Sequence, residues 1–416
     1  MPQKLIDQTT IQPDGSPGDD AFTAFATCND NFEDAEQRLS ALEGGSSNIG
    51  QDVADLKTGL QQETQLRTDA DAAEATARQN ADAALSARIL GKNIVINGDF
   101  RFWQRGTGFA AAGYGADRFL NNINGITCSM TRLALGVGEI AGFKYACRMS
   151  FNGGSDPAHY ATLQHRMENL GYYSGKTLTF SGYMRANTTG VKVAFECALI
   201  AAGGTIPGVV PSTAIGVTTF TLGTSWQKFT ATFTVPSLVG ATLNDSSSLS
   251  FNLWLSAGSN HNPRNHNLGF QSAIVDFAGL QLEEGAVSTP YEFRSDPLEL
   301  SLCLRYYEKS YNLGVFPGTA DRNGSYRCSI VNGFFFSAGT IAFAVQKRTT
   351  PAISVYAARD GTAGAGSEVN NSGVFVANRN VTPSNMGTGR FQTGSNNGGA
   401  AAGNTIEFQW TADAEL

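Results

Sequence analysis

Four carboxylates invite an enzymatic reading of this 416-residue chain. Glu196, Asp276, Glu283 and Glu284 lie in or beside apolar runs, and a glycan hydrolase needs two such groups flanking one glycosidic bond. Linear spacing places no two of them across a cleft, and Glu283 and Glu284 belong to the run QLEEG, which reads as structural. His261 and His266, in the polar stretch SNHNPRNHNLGF, come with none of the further ligands a metal needs. GYYSGKT (Gly171 to Thr177) approaches a phosphate-binding loop, but three residues rather than four separate its glycines, and an alternating strand follows instead of a helix. Neither G-x-S-x-G nor H-E-x-x-H occurs. The expectation is a protein that is not an enzyme, with no catalytic residue, metal or cofactor.

A binding surface is easier to build from these residues. In SLSFNLWLSAG the apolar face is Leu249, Phe251, Leu253 and Leu255, so Trp254 points the other way beside Ser250, Asn252 and Ser256. In KTLTFSGYMRA the inward set is Leu178, Phe180 and Met184, which leaves Tyr183 and Arg185 outward. In VKVAFECALI the face opposite the core carries Lys192 and Glu196. A flat ring among hydrogen-bonding side chains suits a sugar, which stacks its C–H face and bonds its hydroxyls laterally. Tyr183, Arg185, Glu196 and Trp254 are therefore candidate glycan contacts, and Arg379, beside glycine- and asparagine-rich loops near the C-terminus, is a fifth. The competing expectation for Trp254 and Tyr183 is burial under a neighbouring subunit or the N-terminal helix.

The elements that must carry these residues fall into regions of different period. Residues 1–24 are rich in Pro, Gly and Asp and predict an extended segment ordered by a partner. From there Phe25, Cys28, Phe32, Ala35, Leu39 and Leu42 follow a 3-4 spacing, and Ile49, Val53, Leu56 and Leu60 resume it after GGSSN. A sustained seven-residue repeat predicts a coiled-coil stalk over 25–90, with these ten residues at the oligomer interface. From residue 91 the period is two. KTLTFSGYMRA, VKVAFECALI, QKFTATFTVP and SLSFNLWLSAG each alternate between turn residues, which predicts an antiparallel sandwich over 91–296. Residues 297–416 predict a short helix, with Leu300, Cys303 and Leu304 inward, and then β-structure. The glycine-rich stretches RDGTAGAGSEVNNSG and TGSNNGGAAAGN are expected to be long exposed loops.

NIVINGDFRFWQRG (Asn93 to Gly106) marks the change of period. Ile94 and Ile96 fit an inward strand face with Val95 against the end of the stalk, and Asn97-Gly98-Asp99 supplies a turn. Phe100 and Phe102 then alternate with Arg101 and Trp103, and Trp103 with Arg101 and Arg105 is expected to pack between stalk and sandwich.

Charge is unevenly shared: residues 1–90 carry 16 acidic and 6 basic side chains, and the remainder carry 20 and 23. An acidic stalk on a near-neutral body argues against nucleic acid, which requires clustered Lys and Arg. No segment has the apolar core of a signal peptide or the length of a membrane span. The six cysteines show no C-x-x-C and are expected to be structural thiols.

NIVINGDFRFWQRG…YGADRF, then GLQLEEGAVSTPYEFRSDPLELSLCLRYYEKSY, then FQWTADAEL resemble bacteriophage tail-fibre and receptor-binding proteins. LTFSGYMRA, TSWQKFTATFTVPS and QLEEG also resemble the jelly-roll carbohydrate-binding modules that such fibres carry. The resemblance covers Lys92 to Leu416 and implies a mainly β protein: a virion anchor, a homotrimeric stalk, a jelly-roll domain and a C-terminal β-rich tip. It implies partners among virion tail or baseplate proteins, held through residues 1–24, and a bacterial surface polysaccharide bound without cleavage. It also implies folding in the host cytoplasm and a place on the virion, in the tail or a tail-associated appendage. Two alternatives stay open, a purely structural collar, baseplate or head fibre and a glycan depolymerase.

Overall fold

The computed structural model describes residues 5, 7, 9–11, 13, 15–18, 20–86, 91–208, 214–331, 334–336, 340–395 and 399–416. The chain divides into two compact units, Met1–Ala83 and Ala84–Leu416.

The first unit is dominated by one helix, α1 (Ala21–Ser86), whose 66 residues rise about 100 Å at 1.5 Å per residue. Asp20 caps it, its Oδ1 accepting the Thr23 amide at 2.7 Å. The cap starts the helix at Ala21, so residues 21–24 are helical and not part of an extended segment. The helix runs unbroken through Gly44 and Gly45. Phe25, Phe32, Leu39, Leu42, Ile49, Leu56 and Leu60 are each 57–73% exposed, and Val53 is 45% exposed. Cys28 is half-buried and Ala35 exposed. The predicted stripe is thus present on one helix and faces water along the single chain.

The second unit opens with a β-sandwich. Its strands are β1 (Gly108–Phe109), β2 (Gly113–Tyr114), β3 (Phe119–Asn124), β4 (Cys128–Ala134), β5 (Tyr145–Phe151) and β6 (Tyr160–Met167). They continue with β7 (Thr177–Ala186), β8 (Val191–Ile200), β9 (Ala214–Leu222), β10 (Gln227–Thr234), β11 (Ser248–Ala257) and β12 (Ala273–Glu284). One antiparallel sheet has the order β1-β4-β5-β12-β7-β10 and the other β2-β3-β6-β11-β8-β9. Their facing sides share one core that includes Phe119, Phe180, Phe195, Phe251, Phe277 and Met184. The four strands expected from alternation are β7, β8, β10 and β11, and they lie in two sheets: β10 beside β7, β8 beside β11. Cys128 and Cys147 lie on paired neighbours, β4 and β5, but opposite Phe151 and Arg132 and not each other, and all six cysteines are free thiols.

A short helix, α2 (Asn262–Asn265), follows β11, and α3 (Asp296–Leu304) follows β12. On α3, Cys303 and Glu299 are buried, whereas Leu300 and Leu304 are only half-buried. Beyond α3 come β13 (Tyr307–Lys309), β14 (Tyr326–Val331), β15 (Phe334–Phe336), β16 (Ile341–Ala342) and β17 (Ala352–Ala357). The last five are β18 (Ala365–Val369), β19 (Phe375–Asn380), β20 (Thr382–Ser384), β21 (Arg390–Ser395) and β22 (Thr405–Asp413). They form a ten-stranded sheet in which β22 pairs with β13, β14, β17 and β18. RDGTAGAGSEVNNSG, expected as a loop, contains the fully buried strand β18. Glu368, buried there, accepts bonds from Arg379, Asn404 and the Ala401 amide, which is how a polar stretch enters a sheet interior.

The NIVINGDFRFWQRG segment differs from its expectation in both shape and partner. It forms no strand, because Asn97 (φ 60°) and Phe100 (φ 56°) adopt left-handed backbone. Val95, not Ile94 or Ile96, is the fully buried core residue. A Cβ at Gly98 would lie 2.0 Å from the Leu280 carbonyl oxygen, so only glycine allows this close approach to β12. Phe100 and Trp103 enter the sandwich core, Trp103 donating its Nε1–H to the Phe100 carbonyl at 2.7 Å. Arg105 serves the C-terminal sheet and Arg101 serves α3. Arg105 stacks 3.7 Å over Tyr307 and pairs with Asp413 and Glu415, and Gln104 donates to the Tyr307 carbonyl. Arg101 pairs with Asp99 and with Asp296 of α3. The segment ties the sandwich to the domain that follows it.

Candidate functional site: a polar groove on one sandwich face

The five predicted glycan contacts lie at three separate places. Glu196 and Trp254 share the outward face of the second sheet. Tyr183 and Arg185 stand on β7, in the first sheet, and Arg379 stands on β19 of the C-terminal sheet. Arg379 is committed to Glu368 and the Gly399 carbonyl. Arg185 bonds Asp276 and Glu139 and lies 4.5 Å from the Trp226 ring centroid, while Tyr183 packs against Phe143. The four carboxylates that could suggest catalysis are likewise dispersed. Asp276 binds Arg148 and Arg185, Glu283 accepts from Thr289, Glu284 pairs with Lys176, and Glu196 is on the opposite sheet.

The second sheet's outward face holds a groove of about 220 Å³. Strand register builds its floor: Asn252 on β11 lies opposite Gln164 on β6 and opposite Glu196 on β8. Alternation turns all three outward, so they form one row across three strands. Arg166 Nε donates to Gln164 Oε1 (3.1 Å), Gln164 Nε2 to Asn252 Oδ1 (2.6 Å), and Asn252 Nδ2 to Glu196 Oε1 (2.8 Å). Arg264, from α2, closes the row with a bidentate bond to Glu196. Burial pushes the Glu196 carboxyl up from its ordinary range, against the opposing pull of Arg264 and its hydrogen bonds.

Aromatic rings form one end of the groove. Trp254 contacts Tyr160 (centroids 5.7 Å apart) and His261 (5.2 Å), and Arg264 lies 5.1 Å from its ring centroid. These groups leave Trp254 only 2% exposed. It does point outward, but Tyr160 and the chain's own 259–265 segment cover it, so the ring is not an open stacking platform. The indole N–H lies near enough to Glu196 to help hold its charge, yet falls short of hydrogen-bond geometry. Tyr160 and His261 are half-buried and offer the accessible aromatic surface. His261 Nε2 faces the Ala158 carbonyl at 3.1 Å, and His266 ends α2 in a left-handed conformation, so neither histidine stands in a metal cluster. Among the described residues no group of His, Cys, Asp or Glu is arranged to hold a metal.

Sequence reasoning missed Gln164, Asn252, Arg166, Arg264, Tyr160 and His261 as groove residues. The signal for Asn252 was present, since it shares Trp254's outward parity in SLSFNLWLSAG. ATLQHRM carried it for Gln164 and Arg166, which alternate with Leu163, His165 and Met167.

No protein-family model and no curated protein matches the chain. Among solved structures, the chain is similar to a CBM4 domain, at 18% identity over 38% of this chain and 78% of that one (TM-score 0.24). It is similar to the family 11 carbohydrate-binding module of the cellulase Lic26A-Cel5E of Clostridium thermocellum, at 12% identity over 47% of this chain and 96% of the module (TM-score 0.28). A third similarity is to the enzymatically active domain of bacteriophage CBA120 tailspike protein 4, at 10% identity over 47% of this chain but only 22% of that one (TM-score 0.26). At these TM-scores the β-sandwich assignment rests on the chain's own strand pairing, and the chain is a mainly β protein with a long N-terminal helix.

Proposed function

We propose that this chain is a non-catalytic, glycan-binding fibre subunit of a bacteriophage virion, with the outward groove of the second sheet as its sugar site. The observation that carries the proposal is the Gln164–Asn252–Glu196 row ending in the Tyr160–Trp254–His261 rings. Planar amides fixed by their neighbours, beside partly exposed rings, suit the hydroxyls and C–H faces of a saccharide. The row is held rigid before any ligand arrives, which lowers the ordering cost of binding. In this reading α1 joins three copies through its exposed heptad stripe in a parallel coiled coil, and residues 1–20 attach to other virion proteins. Three copies of a weak site then act by avidity, as adhesion to a repetitive surface polysaccharide requires.

The test is binding of the purified full chain to a panel of immobilised bacterial surface polysaccharides. Binding that falls sharply in Asn252→Ala, with the melting curve still cooperative, supports the groove. Equal binding by the variant overturns the groove, and release of new reducing ends from any bound polymer overturns the non-catalytic assignment. Sedimentation equilibrium tests the stalk: three times the 44.0 kDa chain mass is expected, reduced to one by Leu39→Asp with Leu56→Asp.

A further inference from the structure

Resting on the groove as the sugar site, we infer that its ligand is an acidic polysaccharide, one whose repeating sugar carries a carboxylate or an equivalent anionic group. The inference comes from the charged donors that the groove leaves free. Every amide and carboxylate oxygen of the groove's side chains already accepts a bond. Gln164 Oε1 takes Arg166, Asn252 Oδ1 takes Gln164, Asn122 Oδ1 takes the Tyr160 hydroxyl, and Glu196 takes Asn252 and Arg264.

Beside these engaged oxygens stand donors that make no hydrogen bond among the described residues, two of them on guanidinium groups. Arg166 uses Nε on Gln164 and Nη1 on the Leu416 carbonyl, which leaves Nη2 without a hydrogen bond. Arg264 uses Nε and Nη2 on Glu196, which leaves Nη1. Asn122 Nδ2 makes no hydrogen bond either, its Oδ1 and carbonyl being the atoms engaged. All three residues line the same groove.

Charge points the same way. Two arginines line the groove, and the carboxylate of Glu196 lies fully buried beneath its floor and is spent on Arg264. An anionic oxygen needs donors alone, and guanidinium edges supply them in charge-assisted form.

The experiment compares the full-length protein on four acidic polymers, polygalacturonate, alginate, hyaluronan and polysialic acid, each also presented after chemical reduction of its carboxyl groups to primary alcohols. Neutral β-glucan and xylan complete the panel. The expected result is binding to at least one acidic polymer, weakened about tenfold or more by carboxyl reduction, the loss of one charge-assisted bond per site. Raising the salt concentration should weaken binding to the acidic form and leave any residual binding to the reduced form unchanged. Arg166→Gln should reproduce the effect of carboxyl reduction on an unaltered polymer. The salt series on the unmodified protein tests the same point if that variant does not fold.

Equal binding to a polymer and its reduced form, or binding to the neutral glucans alone, overturns the acidic ligand and leaves the groove reading intact. Acidic binding that Arg166→Gln leaves unchanged places the charge contact elsewhere and also overturns it. Binding to none of the polymers, acidic or neutral, counts against the glycan reading and this inference together.

Discussion

Asn252 donates its Nδ2 to Glu196 Oε1 at 2.8 Å while its own Oδ1 accepts from Gln164, so one amide on β11 sets the position of polar groups on both neighbouring strands. Glu196 is fully buried, and with Asn252 gone it would keep only Arg264 and the nearby indole. A buried acceptor that loses a partner costs about 1–3 kcal/mol. Asn252→Leu is therefore expected to lower unfolding stability by about that amount, measurable as a shifted denaturant midpoint at unchanged slope.

Trp254 gives a prediction opposite in kind to the one its outward parity suggests. At 2% exposure and packed against Tyr160, His261 and Arg264, it acts as a small second core over the sheet. Trp254→Ala is expected to destabilise the chain by about 3–5 kcal/mol, the range for emptying a buried aromatic site. Trp254→Phe should recover most of that. A thermal melt of both variants decides it: if alanine costs nothing, the 259–265 cover does not hold the ring.

The difference between parity and exposure also marks how far the sequence could be read. Alternation places Leu249, Phe251, Leu253 and Leu255 inward and Trp254 outward, and all five lie on the expected faces. Period two says nothing of which strands neighbour each other, so Tyr183 and Glu196 could share a surface on paper while standing on opposite sheets. Nor does it reveal that every residue of β11 is buried, because the 259–265 segment just beyond the alternating run folds back over Trp254. The heptad stripe of α1 was legible because helical period depends only on local spacing. In NIVINGDFRFWQRG the turn at Asn97-Gly98-Asp99 was legible, the Phe100 amide bonding the Asn97 carbonyl, but the alternation around it was misread because Asn97 and Phe100 are left-handed, which the residue type of Phe100 does not suggest.

Arg118 heads the largest side chains fully buried among the described residues. It pairs with Glu415, donates Nη2 to the Arg166 carbonyl at 2.6 Å and lies 3.4 Å from the Tyr306 ring centroid. These contacts fasten the end of the chain to the sandwich. Removing one partner of such a pair strands a charge in the interior, at a cost of about 3–5 kcal/mol. Glu415→Gln should show that loss in chemical denaturation. The double replacement Arg118→Met with Glu415→Leu should recover much of it, since burying a charge pair is itself costly. Additive losses in the double variant would contradict the coupling.

Lys309 lies in the same seam, 8% exposed, with its ammonium donating to the carbonyls of Gln104, Leu313 and Val315. Burial lowers its pKa to about 8, against an ordinary lysine value near 10.4 in the unfolded chain. Between those two values the unfolded state binds more protons than the folded one. Lys309 alone therefore makes stability rise as pH increases from about 8 towards 10, with the penalty for burying the charge greatest below pH 8. The buried thiols of Cys128 and Cys328, both raised by burial, act with the opposite sign, because the unfolded chain releases their protons first. The quantity to measure is thus the stability of the native protein minus that of Lys309→Met, at pH 7.5 and again at 9.5. The thiol contributions cancel in that difference, which should move in favour of the lysine protein by on the order of 1–2 kcal/mol across the interval. A difference that stays flat would mean the ammonium is solvated in the folded state and that the three carbonyls do not isolate it from water.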